Sequence, residues 1–264
     1  MIPKVRRPRT RRMISLEVLA NTAPSPAFRT VTLGGPGVAD LEVAGDDQAV
    51  RLFFPRDGQD GLRMPTLDNE GWMAEVLMLP KSRRPWVRNY TIRRARPGEI
   101  DIEFALHDGD APAASWARRA HPGDPAGIFD LGVSYLPPSG VGWQLLAGDE
   151  SAVPAILAIL EHAPADLVAE VFLEVPSAAD VRVLEAPPGA RVHWLPRLRP
   201  GRPGSLALEA IRAAALPGGR AYAWVAGEAA LATGVRRHLV RDRGWAKSDI
   251  AFLGYWRHGR AAPG

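Results

Sequence analysis

The sequence predicts a two-domain protein: an N-terminal antiparallel six-stranded β-barrel over residues 1–138, then a parallel-sheet α/β domain over residues 139–264. Three observations carry this expectation. At 264 residues the chain lies where one hydrophobic core usually gives way to two. Up to about Leu136 it reads as short apolar stretches of period two, separated by Gly, Pro and Asp. After Pro137-Pro138-Ser139-Gly140 the rhythm changes to apolar strand, capped turn and helix, repeated.

In the first half, residues 16–20, 28–33, 50–54, 72–79, 88–93 and 100–106 are the strand candidates. Ile100, Ile102, Phe104 and Leu106 alternate with Asp101, Glu103 and Ala105, the pattern of a strand with one wet face. Val50, Leu52 and Phe54 alternate in the same way with Arg51 and Phe53. Residues 55–71, rich in Pro, Gly and Asp, read as a loop. One helix interrupts the strands, from Pro112 to Ala120, with proline in its first turn. The free N–H groups at such a start form a ready anion site.

In the second half, residues 143–147, 168–175, 221–226 and 250–253 read as strands, and residues 152–162, 205–215 and 228–241 as helices. Gly148-Asp149-Glu150-Ser151 is the turn between the first strand and helix. Residues 186–204, rich in Pro, Gly and Arg, read as an ordered loop around Trp194.

Composition narrows the chemistry. Apolar residues make up 46% and charged residues 23%, as in an ordinary globular protein. There is no cysteine, which excludes disulfides, iron–sulfur clusters, thiolate zinc sites and cysteine nucleophiles. The six histidines are scattered without metal-ligand spacing, so no metal site is expected. No apolar run approaches the roughly 20 residues of a membrane span. The basic start, with Lys4, Arg6, Arg7, Arg9, Arg11 and Arg12, is interrupted too early by Glu17, Asn21 and Pro24 to be a signal peptide, and a cytoplasmic monomer is expected. The net charge is +4 and the isoelectric point about 9.8. The basic arm lacks aromatic interleaving and any recognition helix, so it reads as a solvated tail and no nucleic acid is expected. A nucleophile elbow, a metal-binding H-E-x-x-H helix, a phosphate loop and a G-x-G-x-x-G fingerprint are all missing, which removes the common hydrolases and kinases.

The stretch Arg88-Asn89-Tyr90-Thr91-Ile92-Arg93 packs a cation, an aromatic ring and a hydroxyl into four positions. A cofactor with a phosphate and a flat ring needs these groups, and a plain surface strand also contains them. Alternation puts Arg88 and Tyr90 on one face and Asn89 and Thr91 on the other, unless a twist or bulge turns Thr91. Adjacent Asp149 and Glu150 read either as an acid pair or as a helix cap with its dipole partner.

Taken in order, Arg88 to Arg93, His107 with Pro112 to Ala117, Gly148 to Ala155, Ala226-Gly227-Glu228 and Gly254-Tyr255-Trp256-Arg257 resemble the siderophore-interacting protein family. Its members are flavin-dependent ferric-siderophore reductases of the ferredoxin-reductase-like superfamily. The resemblance implies FAD in the barrel domain, held by Arg88, Asn89, Tyr90, Thr91 and Ile92 and, at the pyrophosphate, by Ala113, Ala114, Ser115 and Trp116 with His107 nearby. Tyr90 would pack on the flavin and Thr91 would lie near its reactive nitrogen, which makes these two the catalytic candidates. NADPH or NADH, as electron donor, would face Gly148, Asp149, Glu150, Ser151, Pro154, Gly227 and Glu228. Arg51 and Arg257 would face the ferric siderophore, with Lys81, Arg83 and Arg84 as further steering cations or plain surface charge.

Departures from the family pattern fall at Ala111 and Ala114, where Gly and Ser are common, and at Leu131, where a basic residue is frequent. The expected function is transfer of electrons from NAD(P)H through FAD to a chelated ferric ion. Another flavin oxidoreductase on the same scaffold and a noncatalytic chelate- or flavin-binding module are the alternatives. Arg197, Arg199 and Arg202 are candidates for a 2′-phosphate, or are a solvated loop.

Overall fold

The computed structural model describes residues 4–106, 111–199 and 201–260. The chain divides into two compact units at Val133 and Ser134.

The first unit is a closed barrel in the order β1-β2-β5-β4-β3-β6, and all its pairings are antiparallel. The strands are β1 (Met13–Ser25), β2 (Phe28–Gly34), β3 (Ala49–Phe54), β4 (Trp86–Arg96), β5 (Glu99–Ala105) and β6 (Pro125–Gly132). Alternation sends Ile14, Leu16, Val18, Val50, Leu52, Ile100, Ile102 and Phe104 into one apolar core. The expected wet face of β5 is covered instead. Asp101 is buried beneath Arg96, which donates two hydrogen bonds of 2.7 and 2.9 Å, and it also accepts one from Thr32.

Six strands were expected, and one of the six is a different segment. Residues 72–79 are not a strand: helix α1 (Trp72–Met78) forms there. Met, Ala, Glu and Leu favour helix, and Trp72 and Val76, four apart, dock on Phe53 and Phe129 outside the barrel. The sixth strand is β6, whose Gly, Pro and Asp disguise it in the sequence. It closes the barrel between β1 and β3, and the buried Asp130 is satisfied by Gln48 Nε2 at 2.6 Å and its own Gly132 N–H at 2.7 Å. Helix α2 (Pro112–Arg119) lies where it was expected.

The second unit is a five-stranded parallel sheet in the order β11-β10-β7-β8-β9. Its strands are β7 (Trp143–Gly148), β8 (Ala169–Val175), β9 (Ala190–Pro196), β10 (Ala221–Glu228) and β11 (Ile250–Trp256), with helices α3 (Val153–His162), α4 (Ser205–Ala213) and α5 (Ala229–Arg241). The strands β7, β8 and β10 are buried along their whole length, as a sheet covered by helices requires. Residues 186–204 are not one ordered loop, because β9 runs through them as the sheet's edge, ending at Pro196. The chain builds outward from β7 through β8 to β9, then returns to add β10 and β11 on the other side. The carboxyl ends of β7 and β10 therefore flank a topological switch point, the position where open α/β sheets bind ligands. No helix among the described residues is long and apolar enough to cross a membrane.

Gly132 ends β6 at φ +86°, and a Cβ there would stand 2.1 Å from the Arg6 carbonyl oxygen. Gly132→Ala is expected to destabilise the barrel by about 2 kcal/mol or more, read as a lower urea midpoint at unchanged slope.

Candidate functional site

Pairing across β3 and β4 decides which side chains meet. Leu52 lies opposite Arg88, Val50 opposite Tyr90 and Phe54 opposite Trp86, whereas Arg51 lies opposite Asn89 and Ala49 opposite Thr91. Directly opposed residues share a face. Leu52, Val50 and Phe54 are core residues, so Arg88 and Tyr90 belong to the core side of β4, at its half-buried end.

Around them the field is positive. The guanidinium of Arg56 sits 3.7 Å from the centre of the Trp86 ring and that of Arg88 5.1 Å from it. Burial pulls Arg88 below its ordinary pKa, with Tyr90 raising it and Arg56 lowering it, and the group stays cationic at neutral pH. The Tyr90 phenol is pushed up by burial and stays protonated.

Rings connect this strand to α2. Tyr90 is 4.3 Å from Phe104, Phe104 is 5.7 Å from Trp116, and Trp116 is 5.2 Å from Phe54. Trp116 is on α2, so the stack fixes the start of that helix relative to β4. Ala111 precedes the helix in an extended conformation and offers no side-chain cap, and Pro112 opens it. The N–H groups of Ala113 and Ala114 accordingly have no acceptor within the helix. Both residues are buried, Ser115 is half-buried, and its N–H already donates to the Ala111 carbonyl at 3.0 Å. His107 lies outside the described residues.

The other expected residues of this domain are turned elsewhere. Asn89 is exposed and accepts from Arg51 Nη1 at 3.2 Å, while the Arg51 guanidinium lies 5.2 Å from the Trp72 ring centre. Ile92 is in the barrel core. The register of β4 shifts between Ile92 and Arg94, beyond Thr91, so the pairing of Thr91 stays on the Asn89 face. Leu131 is half-buried, and Phe129 fills a pocket with Phe53 and Trp72, beneath Arg11 at 4.6 Å.

In the α/β unit the expected residues converge. Asp149, fully buried, accepts from Ser151 N and Oγ, from Glu228 N at 2.6 Å and from Trp256 Nε1 at 3.1 Å. One carboxylate thus ties together the ends of β7, β10 and β11. Gly227 is held at φ +125°, where a Cβ would stand 2.7 Å from the Asp149 carboxyl carbon. Glu228 caps α5 through Ala230 N and also accepts from His258 N and Arg202 Nη2, both at 3.1 Å. Pro154 opens α3 directly behind Ser151, and Arg257 is exposed.

Glu174 was not among the expected site residues and Arg197 was expected only as a 2′-phosphate candidate, yet the two complete this turn. Arg197 donates three bonds of 2.8 Å, two to Glu150 and one to Glu174, and Glu174 also accepts from the N–H groups of Gly204 and Ala207 at the start of α4. Burial works against the charge on Arg197, but the two carboxylates outweigh it and hold the guanidinium above its ordinary pKa. As a 2′-phosphate ligand Arg197 is already engaged, as is Arg202 with Glu228. One signal was available: Glu174, between Leu173 and Val175 in the largely apolar strand β8, requires a partner if the strand is buried. Among the described residues no group of three or more His, Asp or Glu is placed to hold a metal ion.

Comparison with known proteins shows the family and the fold. The siderophore-interacting FAD-binding domain matches residues 17–135, and the siderophore-interacting protein family matches residues 141–259. An uncharacterized protein of Mycobacterium tuberculosis is 36% identical, with 93% of this chain and 90% of that protein covered. This chain belongs to the siderophore-interacting protein family. The ferric vibriobactin reductase ViuB of Vibrio cholerae is 30% identical over 87% of this chain and 84% of its own. A siderophore utilization protein from T. fusca superposes with a TM-score of 0.83 at 31% identity, covering 98% of this chain and 97% of the other. The barrel and parallel sheet are those of the ferredoxin-reductase-like fold. Within this siderophore-interacting scaffold the Arg88–Tyr90 face is joined to α2 by stacked rings, and the Asp149 turn joins three strand ends by buried hydrogen bonds.

Arg197→Met leaves Glu150 and Glu174 without their cation and should cost about 3–5 kcal/mol in chemical denaturation. Arg202→Met, at a side chain 54% exposed, should cost less than about 1 kcal/mol. Burial and the neighbouring Glu150 push Asp149 up from 3.8 to about 7, against the pull of its Ser151 and Glu228 donors. A folded carboxyl that holds its proton more tightly than the unfolded one contributes stability below the unfolded value, and that contribution is lost as pH rises through the folded one. Stability measured from pH 3.8 to about 7 should therefore fall with pH more steeply in the wild type than in Asp149→Asn.

Proposed function

We propose that this chain is an FAD-dependent reductase that takes electrons from NADH or NADPH and passes them to the ferric ion of a siderophore, releasing ferrous iron in the cytoplasm. The supporting observation is the end of β4, where Arg88 and Tyr90 are joined by stacked rings to an uncapped helix start, in a chain whose first half matches a siderophore-interacting FAD-binding domain. ViuB, a relative over most of its length, is named a ferric reductase.

The residues fit FAD. Arg88, reinforced by Arg56, would meet a flavin phosphate, and the ring of Tyr90 would pack on the flat isoalloxazine. The N–H groups of Ala113 and Ala114, which have no acceptor within the helix, would with Ser115 and Trp116 alongside hold the pyrophosphate through backbone dipoles. Since those contacts use backbone, alanine at 111 and 114 preserves them. Bound FAD would supply what side chains lack, the capacity to accept a hydride and give up single electrons. In the second domain Gly148, Ser151, Pro154 and Gly227 line the switch point and would receive the nicotinamide nucleotide, with Asp149, Glu150 and Glu228 shaping its walls through their buried networks. Siderophores hold iron through hard anionic oxygens that suit ferric better than ferrous ion, so reduction loosens the chelate. Arg257, exposed and cationic, would attract such an anion. A different electron acceptor is the second reading, favoured by Leu131 and by the engagement of Arg51 with Asn89 and Trp72.

Purified protein titrated with FAD should develop a bound-flavin spectrum that NADH or NADPH bleaches anaerobically. A ferric siderophore should restore the colour while a ferrous chelator traps the iron. Bleaching that no ferric chelate reverses would assign the scaffold to another acceptor. Arg88→Ala should weaken FAD binding by about tenfold to a hundredfold, the range of one charge-assisted contact, without lowering the urea midpoint.

A further inference from the structure

The short helix α1 is apolar on both sides. Its residues Trp72-Met73-Ala74-Glu75-Val76-Leu77-Met78 include one polar side chain. Trp72 and Val76 face the barrel. Glu75 is turned back onto the preceding loop, accepting from Thr66 N at 2.7 Å, Thr66 Oγ1 at 2.6 Å and Leu67 N at 3.3 Å. The outer side is left to Met73, Ala74, Leu77 and Met78, with Leu67 beside them. Leu77 is 63% exposed and Met78 is 84% exposed. A helix packed on a globular domain normally presents its polar side to water. Here the wet side is two apolar i, i+4 pairs with nothing to hydrogen-bond.

Positive charge lies at the C-terminal end of this patch, while Asp68 and Glu70 precede its N-terminal end. Lys81 and Arg83 follow immediately and are exposed, and Arg63 stands exposed beside Glu75, at a concavity it shares with Arg83. Arg84 folds back to donate to the carbonyls of Leu77 at 2.6 Å and Leu79 at 2.8 Å, which caps the helix and holds its Leu77–Met78 end in place. The basic N-terminal arm reaches the same side, since Arg11 pairs with Glu70 at 3.0 Å just before α1.

We propose that this patch docks on an anionic membrane surface, with Leu77, Met78, Met73 and Leu67 entering the interfacial zone and Lys81, Arg83 and Arg63 resting on acidic headgroups. Size favours a bilayer. A seven-residue helix with Leu67 is far short of the roughly 20–30 residues a side of a stable protein interface, whereas the apolar face of one short helix is enough for a shallow insertion of roughly 5–10 Å. Charge also favours it, because basic residues beside a short apolar wedge are attracted to anionic lipid. A symmetric pair of chains would instead bring two basic rims face to face. Flexible Met and Leu side chains suit a fluid partner without fixed pockets.

The test is sedimentation of the full chain with vesicles of phosphatidylcholine and phosphatidylglycerol in equal parts, and with phosphatidylcholine alone. The protein should pellet with the mixed vesicles and not with the neutral ones. Leu77→Glu with Met78→Glu should reduce the bound fraction about tenfold, as should Lys81→Glu with Arg83→Glu. All four side chains are exposed, so thermal unfolding should be unchanged and a loss of binding cannot be a loss of fold. No pelleting of the wild type with mixed vesicles would overturn the proposal. Equal pelleting of the Leu77→Glu/Met78→Glu protein would do so too, assigning the adhesion to the basic arm. Self-association of the wild type that the same variant abolishes would make a second copy of the chain the occupant.

Discussion

Strict alternation on a closed barrel is the constraint on which the rest of the first domain depends. Once β6 joins β1 to β3, every strand position points either into the core or away from it, and a shift of one residue would send the whole apolar set to the wrong side. That rule separates the residues of β4. Arg88 and Tyr90 share the side of Leu52 and Val50, and Asn89 and Thr91 share the side of Arg51. A motif continuous in sequence is thus divided between two environments, one of stacked rings and cations and one facing Trp72 and α1.

The second domain rests on a different balance. Four carboxylates, Asp149, Glu150, Glu174 and Glu228, are buried around the carboxyl ends of its central strands. Isolated, each would be costly. Each is instead turned to a structural use: Asp149 gathers three strand ends, Glu174 caps α4, Glu228 caps α5, and Glu150 holds Arg197. The turn that a nucleotide would meet is braced because its carboxylates are hydrogen-bonded inward, and Arg197 and Arg202, which looked available to a phosphate, are partners that make the burial tolerable.

The surface of the barrel shows the opposite economy. Helix α1 covers Phe53 and Phe129, and its other side remains apolar and wet, flanked by lysine and arginine. In the sequence this apolar stretch, bounded by a loop and Pro80, reads as a strand. Its helix-forming residues and the i, i+4 spacing of Trp72 and Val76 decide otherwise once Phe53 provides a surface to dock on.

Much of this protein was determined by the sequence alone. Domain order, the alternating strands β3 and β5, helices α2 to α5 and the strands of the parallel sheet apart from β9 are local patterns, because period, caps and breakers act over a few residues. The motifs that resemble the siderophore-interacting family are equally local. Tertiary structure alone decided the rest. The Gly-, Pro- and Asp-bearing residues 125–132 become a strand because Gln48 satisfies Asp130 and two neighbours need an edge to pair with. Residues 190–196 become a strand because β8 offers a free edge. Arg197 meets Glu150 across 47 positions of sequence, and Trp256 meets Asp149 across 107. Such partners carry no sequence signal of their pairing, since a buried charge needs an opposite charge in space and the chain's path alone determines which one it finds.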